Sequence, residues 1–164
     1  MTPQDIVERN KNTFRRLQQE VIVGGRLELV EEIFAPECVT LRAGTADLML
    51  AAKLPPYPQS GTAYERFISG WKRMTGLLSD QERTIEAIGG EDDMVWARWR
   101  ISATHSGEYL GVPPTGKRLH YTEVGFLRFD SDGRIIEGWF LCDEVNLARQ
   151  LGLSLVGDAA SRNR

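Results

Sequence analysis

A glycine- and proline-rich stretch, residues 106–117 (SGEYLGVPPTGK), constrains the fold of this chain more than any other feature. It separates two β-prone runs, residues 94–105 and 118–130. Pro113 and Pro114 fix their φ angles and remove two amide donors, whereas glycines permit the positive φ angles of a tight connection. These glycines are Gly107, Gly111 and Gly116. We therefore expect a rigid loop between two long antiparallel strands.

The run before this loop alternates cleanly between apolar and polar residues. Trp99 and its apolar neighbours at every second position share one face, whereas Trp96 and Arg98 share the other. We expect the Trp99 face to line the core. The opposite face has the tryptophan and arginine composition that is common at protein interfaces.

The next hairpin turns around the sequence Asp-Ser-Asp-Gly at 130–133. Gly133 suits a three-residue loop whose last residue is left-handed. Such a loop predicts that Phe126 and Phe140 lie on the same, inward face, whereas a two-residue turn would place Trp139 on the Phe126 face. The residues expected to share the face of the two phenylalanines are His120, Thr122, Val124, Gly138 and Cys142.

The helices lie outside this run of strands. Thr2 is a typical N-cap with Pro3 at the first helical position, and residues 61–78 carry a helical stripe that includes Tyr64 and Trp71. Residues 43–60 are irregular, and we expect a lid over something apolar. Helices segregated from an antiparallel meander indicate an α+β fold.

Bulk properties narrow the class of protein. The 164 residues suit one domain, expected over 1–152 with a disordered tail at 153–164. The net charge of −3, with its basic residues scattered, argues against nucleic acid or a membrane surface as partner. The chain has neither an apolar run of ~20 residues nor a signal-peptide pattern, so we expect a cytoplasmic protein. Cys38 and Cys142 lack metal-ligand spacing and are expected to be buried free thiols.

The chain resembles the SnoaL-like polyketide cyclases, which belong to the cone-shaped α+β barrels of the nuclear transport factor 2 type. The residues that carry the resemblance are 34–37 (FAPE), 104–117 (THSGEYLGVPPTGK), 126–139 (FLRFDSDGRIIEGW), Asp143 and 147–152 (LARQLG). The resemblance implies a curved antiparallel sheet wrapped around the N-terminal helices, with a deep apolar pocket between them. It also implies no metal, no cofactor and a homodimer through the outer sheet face, here Trp96, Arg98 and Trp139.

The chemistry of the studied relatives does not transfer directly. They close a ring by an intramolecular aldol step, with an Asp just after the last-strand Trp as acid/base and a His or Asp one strand back. The corresponding positions here are Phe140 and Phe126, and Leu41 stands where many relatives carry a His. The sequence therefore predicts a pocket without the usual acid/base pair.

Three residues remain as catalytic candidates, each with a structural alternative. His105 could instead fix the glycine-proline loop by hydrogen bonds, and Asp143 could be the N-cap of the closing helix. The only argument for a catalytic role of His120 is that it is predicted to lie on the inward face. The candidate substrate-binding residues are Phe126, Phe140, Trp99, Tyr64, Trp71, Leu41, Tyr57 and Thr122. Arg42 and Tyr57 could hold a carboxylate or phenol, and Glu123 is expected in an ion pair on the outer face.

These observations favour a cyclase or isomerase of specialised metabolism that acts on a bulky apolar small molecule of polyketide or terpenoid type. The alternative is a non-catalytic protein that binds a hydrophobic small molecule. A site of the ketosteroid-isomerase or epoxide-hydrolase type ranks last because it needs an inward carboxylate. The late-strand acids, Glu123 and Glu137, are both predicted to share the face of Trp139.

Overall fold

The computed structural model describes residues 1–43, 61–109 and 111–153. The helices are α1 (Pro3–Arg16), α2 (Val30–Ile33), α3 (Ala63–Leu77) and α4 (Glu144–Gln150). The strands are β1 (Phe34–Ala43), β2 (Leu78–Glu91), β3 (Met94–His105), β4 (Arg118–Phe129) and β5 (Ile135–Cys142). A π-helical segment, Leu17–Val23, and a 3₁₀ turn, Leu27–Leu29, connect α1 to α2.

The five strands form one open, curved sheet in the order β1-β5-β4-β3-β2. Strands β2 to β5 form the expected antiparallel meander, which confirms the α+β class. The first strand, β1, pairs with β5 in parallel. The sheet is therefore mixed rather than wholly antiparallel, because β1 comes from the other end of the chain.

The two long helices begin at matched capping boxes. The Thr2 hydroxyl accepts from the Asp5 amide, which confirms Thr2 as the N-cap, and the Asp5 carboxylate accepts in turn from the Thr2 amide. Thr62 and Glu65 repeat this arrangement at the start of α3. Each box satisfies amides that have no intrahelical partner, so it fixes where the helix starts.

The core lies between the inner face of the sheet and the N-terminal helices. Phe14 on α1 and Trp99 on β3 are both fully buried, with ring centroids 5.3 Å apart. The predicted alternation of β3 is confirmed, since Trp99 faces inward whereas Trp96 is 40% exposed on the outer face. The inner face of the sheet therefore carries the apolar half of each strand.

The hairpin between β4 and β5 corrects one sequence prediction. The three-residue loop is present, and Gly133 has the expected positive φ of 85°. Phe129 pairs with Ile135, however, and Arg128 pairs with Glu137, so that Ile136 is an extra residue in a β-bulge. The extra residue cancels the one-residue offset of the three-residue loop. Beyond the bulge, the residues of β5 therefore lie on the opposite face from the one that the loop alone predicts.

As a result, Phe126 pairs with Trp139 on the outer face and Gly125 pairs with Phe140 on the inner face. Directly opposed residues share a face. The prediction that Phe126 and Phe140 lie on the same face is therefore wrong. The companion predictions for His120 and Thr122 fail for the same reason.

The glycine-proline loop is tied to α3 by its first two residues. The Ser106 and Gly107 amides both donate to the Leu77 carbonyl at the end of α3, at 3.0 and 3.1 Å. Gly116 has the expected positive φ of 68°, as does Gly111 at 78°. Gly107 is needed for a different reason, because a Cβ there would lie 2.2 Å from the Gly76 carbonyl oxygen. The loop thus locks the β3–β4 connection onto α3.

Two predicted features lie outside the described residues: the lid, apart from Ala43, and the tail beyond residue 153. Within the described ranges, no helix is both long and apolar enough to cross a membrane.

Candidate active site

A cavity of about 340 Å³ opens between the inner face of the sheet, the π-helical segment Leu17–Val23 and helix α3. Much of its wall is apolar and aromatic, with Phe67 and Trp71 from α3 facing Trp99 and Phe140 from the sheet. Its volume falls within the range of roughly 300–1,000 Å³ that is typical of small-molecule sites. The cavity is therefore the candidate site.

One buried carboxylate lies in the cavity wall. Glu123 on β4 is 5% exposed and is the only buried carboxylate among the described residues. Its Oε1 accepts from Nη1 of Arg42 at 2.7 Å, and its Oε2 lies 3.8 Å from Nη1 of Arg83. Glu123 was predicted to lie on the outer face, and its pairing with the buried Trp99 and Cys142 shows that this is wrong. Glu123 instead forms an arginine–glutamate–arginine cluster within the fold.

Arg83 is the most deeply buried member of this cluster, with its side chain 3% exposed. It donates to Oε1 of Gln18 at 2.9 Å and to Oε1 of Gln81 at 3.2 Å. Burial lowers the pKa of the Arg83 guanidinium, and the charge of Glu123 opposes that shift. An arginine starts from so high a pKa that it keeps its charge in such a site.

Tyr121 lies two residues before Glu123 on the same face of β4 and also lines the cavity. Burial raises the pKa of its phenol, with Arg83 acting in the opposite direction. The phenol therefore keeps its proton near neutral pH and can donate a hydrogen bond. The Cys38 thiol lines the cavity as well, and burial raises its pKa to about 12, so this thiol is not a nucleophile at neutral pH.

The Phe140 ring occupies space that two glycines leave open. A Cβ on Gly125 or Gly138 would approach this ring to 2.8 Å. The ring contacts Trp99 edge-on at 6.2 Å between centroids, and the Arg42 guanidinium lies 4.7 Å from its centre. Phe140 is thus a fixed aromatic wall that also holds one arginine of the cluster.

The predicted substrate-binding residues divide into two groups. Phe140, Trp99 and Trp71 line the cavity, and the Trp71 indole donates to the Ile22 carbonyl at 3.2 Å. Leu41 reaches only the cavity rim and is 57% exposed, because the inward position on β1 belongs to Arg42. Tyr64 is exposed and does not line the cavity, and Tyr57 lies outside the described residues.

The other two predicted substrate-binding residues, Phe126 and Thr122, lie on the outer face of the sheet. Phe126 is 46% exposed and packs against Trp139, with ring centroids 5.9 Å apart. Trp96 pairs with Phe126 from the other side, so these three side chains form an outer aromatic row across β3, β4 and β5. Thr122 is on this face too, beside a shallow surface groove with Val124.

None of the three catalytic candidates lines the cavity. His105 is fully buried, and its Nδ1 contacts the Thr115 hydroxyl at 3.0 Å and accepts from the Thr115 amide, so it holds the glycine-proline loop. Asp143 caps α4 by accepting from the Asn146 amide at 3.2 Å. His120 is exposed, and its backbone is bonded by Asn146 and Gln150 of α4.

The sequence did carry a signal for Glu123. On β4 the odd positions hold Leu119, Tyr121, Leu127 and Phe129, all buried, whereas the even positions are mostly polar. That alternation places Glu123 inside without reference to the turn. In the described ranges, no group of three or more His, Cys, Asp or Glu side chains could hold a metal ion.

The sequence profile of the SnoaL-like polyketide cyclases matches residues 12–151, most of the chain. The chain belongs to this family. No curated protein sequence matches the chain significantly.

Solved structures agree with this assignment. IdmH, a polyketide cyclase candidate from Streptomyces antibioticus, is 32% identical, with a TM-score of 0.71 over 88% of this chain and 99% of IdmH. A SnoaL-like polyketide cyclase candidate from Jannaschia sp. CCS1 is 21% identical, with a TM-score of 0.72 over 96% of this chain and 98% of that one.

A more distant neighbour is an LEH-like epoxide hydrolase of M. tuberculosis. It is 14% identical, with a TM-score of 0.62 over 88% of this chain and 90% of that one. At such low identity the likeness shows the fold alone.

Proposed function

We propose that this SnoaL-like protein is a cofactor-independent cyclase or isomerase that acts on a bulky apolar small molecule of polyketide or terpenoid type. The observation that carries the proposal is the Glu123 carboxylate, buried in the wall of the cavity beside two guanidinium groups. Family membership supports the reaction class. Glu123 would supply a proton-transfer group to a site in which Phe126 and Phe140 stand at the positions of the usual acid/base pair.

The shared first step of an aldol closure or a double-bond shift is removal of a proton next to a carbonyl group. In our proposal Glu123 accepts that proton, which leaves an enolate on the substrate. Arg42, Arg83 and the Tyr121 phenol supply donors for the enolate oxygen. Donors held in place within a buried site are the usual means of stabilising such a charge, and a positioned base contributes a further 10²–10⁴-fold.

In this proposal the apolar wall selects the substrate by its shape. Trp99, Phe140 and Phe67 offer flat surfaces for a ring or a folded chain. A bicyclic skeleton that packs against these rings would be held with one carbonyl near the cluster. Fixed orientation of this kind is a large part of what an enzyme contributes to an intramolecular reaction.

Deuterium exchange into 2-tetralone tests the proposal without knowledge of the natural substrate. The C1 protons of this bicyclic ketone lie next to its carbonyl, and proton NMR in D₂O follows their loss. We expect the wild-type protein to accelerate the exchange well above the buffer rate. The His120→Ala and Asp143→Asn variants should retain the full rate, because neither residue lines the cavity.

The alternative, a binding protein without turnover, predicts a different result. In that case 2-tetralone would quench the fluorescence of Trp71 and Trp99 on binding, yet its protons would exchange at the buffer rate. Such a pair of results would overturn the enzyme proposal.

We also propose a homodimer through the outer face of the sheet. The outer aromatic row leaves Trp96 40% and Phe126 46% exposed, beside Leu141 at 38%. Aromatic residues of this kind are enriched at subunit interfaces. Light scattering should give twice the chain mass for the wild type and the chain mass for Phe126→Glu. Val23→Glu, an equally exposed site away from the sheet, should remain a dimer, and a wild-type monomer at micromolar concentration would contradict this arrangement.

A further inference from the structure

The π-helical segment Leu17–Val23 continues helix α1 into the wall of the cavity. Such wide turns are rare, and where they interrupt a longer helix they are frequent at functional sites. Two consecutive residues of the segment reach Arg83 on β2. The Gln18 side chain accepts from Nη1 of Arg83 at 2.9 Å, and the Gln19 side chain donates to the backbone carbonyl of Arg83 at 2.8 Å. The segment therefore fixes both the side chain and the main chain of this buried arginine.

Nη1 of Arg83 lies between two oxygen atoms that compete for it. It is 2.9 Å from Oε1 of Gln18 and 3.8 Å from Oε2 of Glu123, so its hydrogen bond goes to the neutral amide and not to the carboxylate. Nη2 of the same guanidinium also has neutral acceptors, Oε1 of Gln81 and Sδ of Met74, both at 3.2 Å. Neutral groups thus hold this guanidinium apart from the one buried carboxylate that the structure describes.

The two carboxylate oxygens of Glu123 are left in different states. Oε1 accepts from Nη1 of Arg42 at 2.7 Å, whereas Oε2 accepts no hydrogen bond from the residues that the structure describes. A hydrogen bond from a cation favours the charged carboxylate and so weakens it as a base. A second such bond, from Arg83 to Oε2, would weaken Glu123 further and would occupy the oxygen that an incoming proton needs.

We propose that Gln18 is a positioning residue: its amide holds Arg83 away from Glu123, so that Oε2 of Glu123 stays free to accept a proton. This inference rests on the proposed function, in that it takes Glu123 as the group that removes the proton from the substrate. Gln18 acts through Arg83 and needs no contact of its own with the substrate. Its side chain is almost fully buried, at 1% exposure, so a substitution there changes the cluster and not the protein surface.

The ionisable groups around Glu123 come from four strands and one helix. Arg42 faces it from β1, Arg83 from β2, Tyr121 from its own strand and Cys142 from the paired position on β5, and α3 adds Arg66 and Arg73 to the cavity wall. The π-helical segment, which the structure describes in full, adds no ionisable side chain to this wall. Gln18 is therefore a position at which the contacts of Arg83 can be changed without removal of a charge.

Protonation of Glu123 can be followed directly by ¹³C NMR of protein labelled at the glutamate side-chain carboxyl, with Glu123→Gln to assign the signal. Gln18→Met removes the competing oxygen at similar size. Nη1 of Arg83 should then turn to Oε2 of Glu123, because a buried donor without a partner is costly, and the titration midpoint should fall by about one pH unit. Gln18→Glu gives Arg83 a charged partner and places a negative charge near Glu123, so the midpoint should rise by about one pH unit.

Gln19→Met is the matched control. It removes a hydrogen bond from the same arginine, but from the backbone carbonyl, and the Gln19 side chain is exposed. The Glu123 midpoint should stay at its wild-type value in this variant. A side chain that only fills space has no reason to move the midpoint in opposite directions. Midpoints that do not change in the two Gln18 variants, or that shift in the same direction, would overturn the inference.

The rate of deuterium exchange into 2-tetralone separates this inference from the proposed function. Gln18→Met should move the acid limb of the pH–rate profile to lower pH and slow the exchange above it several-fold, since a weaker base removes a proton more slowly, and Gln18→Glu should move the limb to higher pH. A wild-type protein that does not exchange, while the midpoints shift as expected, would overturn the proposed function alone. Exchange by the wild type with midpoints that do not move would leave the enzyme in place and overturn the role of Gln18.

Discussion

Substitution of Glu123 by Gln provides the sharpest test of how the sheet is arranged. The change keeps the shape of the side chain and removes its charge from between Arg42 and Arg83. Arg83, 3% exposed, would then have only neutral partners, with Gln18 and Gln81 as its remaining oxygen acceptors.

Removal of one partner from a buried ion pair typically costs 3–5 kcal/mol. Here the Arg83 contact is long at 3.8 Å, and Arg42 is 33% exposed and can turn toward water. We therefore expect a loss of about 2–3 kcal/mol in the free energy of unfolding. For a domain of this size that corresponds to a fall in Tm of roughly 4–12 °C.

Glu137→Gln is the matched control on the neighbouring strand. Glu137 lies 3.5 Å from Arg128 with its side chain 64% exposed, so its loss should cost less than about 1 kcal/mol. Urea denaturation followed by tryptophan fluorescence measures both variants. Equal and small effects would place Glu123 on the surface, and the inward register described above would then be wrong.

Three further predictions concern the cavity wall around Phe140, the buried thiol and phenol, and helix α4. Gly125→Ala should destabilise the protein by about 1–3 kcal/mol, because its Cβ would meet the Phe140 and Trp99 rings at 2.8 and 2.9 Å, whereas Gly76→Ala on α3 meets nothing within 4 Å and should be neutral or stabilising. Denaturation midpoints compare the two, and a harmless Gly125→Ala would contradict the packing of Phe140. The raised pKa values of Cys38, about 12, and Tyr121 keep both groups protonated in the folded state, whereas they ionise in the unfolded chain near ~8.5 and ~10. Stability should therefore be intact below about pH 8.5 and fall as the pH rises toward 12, and denaturation curves that do not change over that interval would show both groups to be accessible. Asp143→Ala should cost about 1 kcal/mol through loss of the N-cap and Asp143→Asn much less, so equal losses would refute the capping role.

Local signals in the sequence predicted most of the secondary structure. Thr2 formed the expected N-cap, and the alternation around Trp99 gave the correct faces of β3. Each of these signals depends on neighbours within a few positions. The pairing of β1 with β5 joins residues about a hundred positions apart, and nothing in the β1 sequence indicates its partner or its direction.

The site was harder to predict because its residues depended on one backbone detail. The loop before Gly133 was predicted correctly, but the bulge at Ile136 depends on packing that no turn motif encodes. The prediction from the loop length therefore placed Phe126 on the inner face and Glu123 on the outer face, whereas the structure has them the other way round. No local pattern marked Arg83, since its buried hydrogen-bond partner Gln18 lies 65 positions away in the chain. Family resemblance correctly indicated the fold.

The most direct test of this account is the rate of deuterium exchange into 2-tetralone by Glu123→Gln, measured beside its binding to the same variant. The account predicts that the variant binds the ketone and loses the exchange, by about 10²-fold or more for a missing general base. Glu137→Gln should keep the wild-type rate. A Glu123→Gln protein that exchanges the C1 protons as fast as the wild type would contradict the central claim, that the inward carboxylate of Glu123 moves the proton.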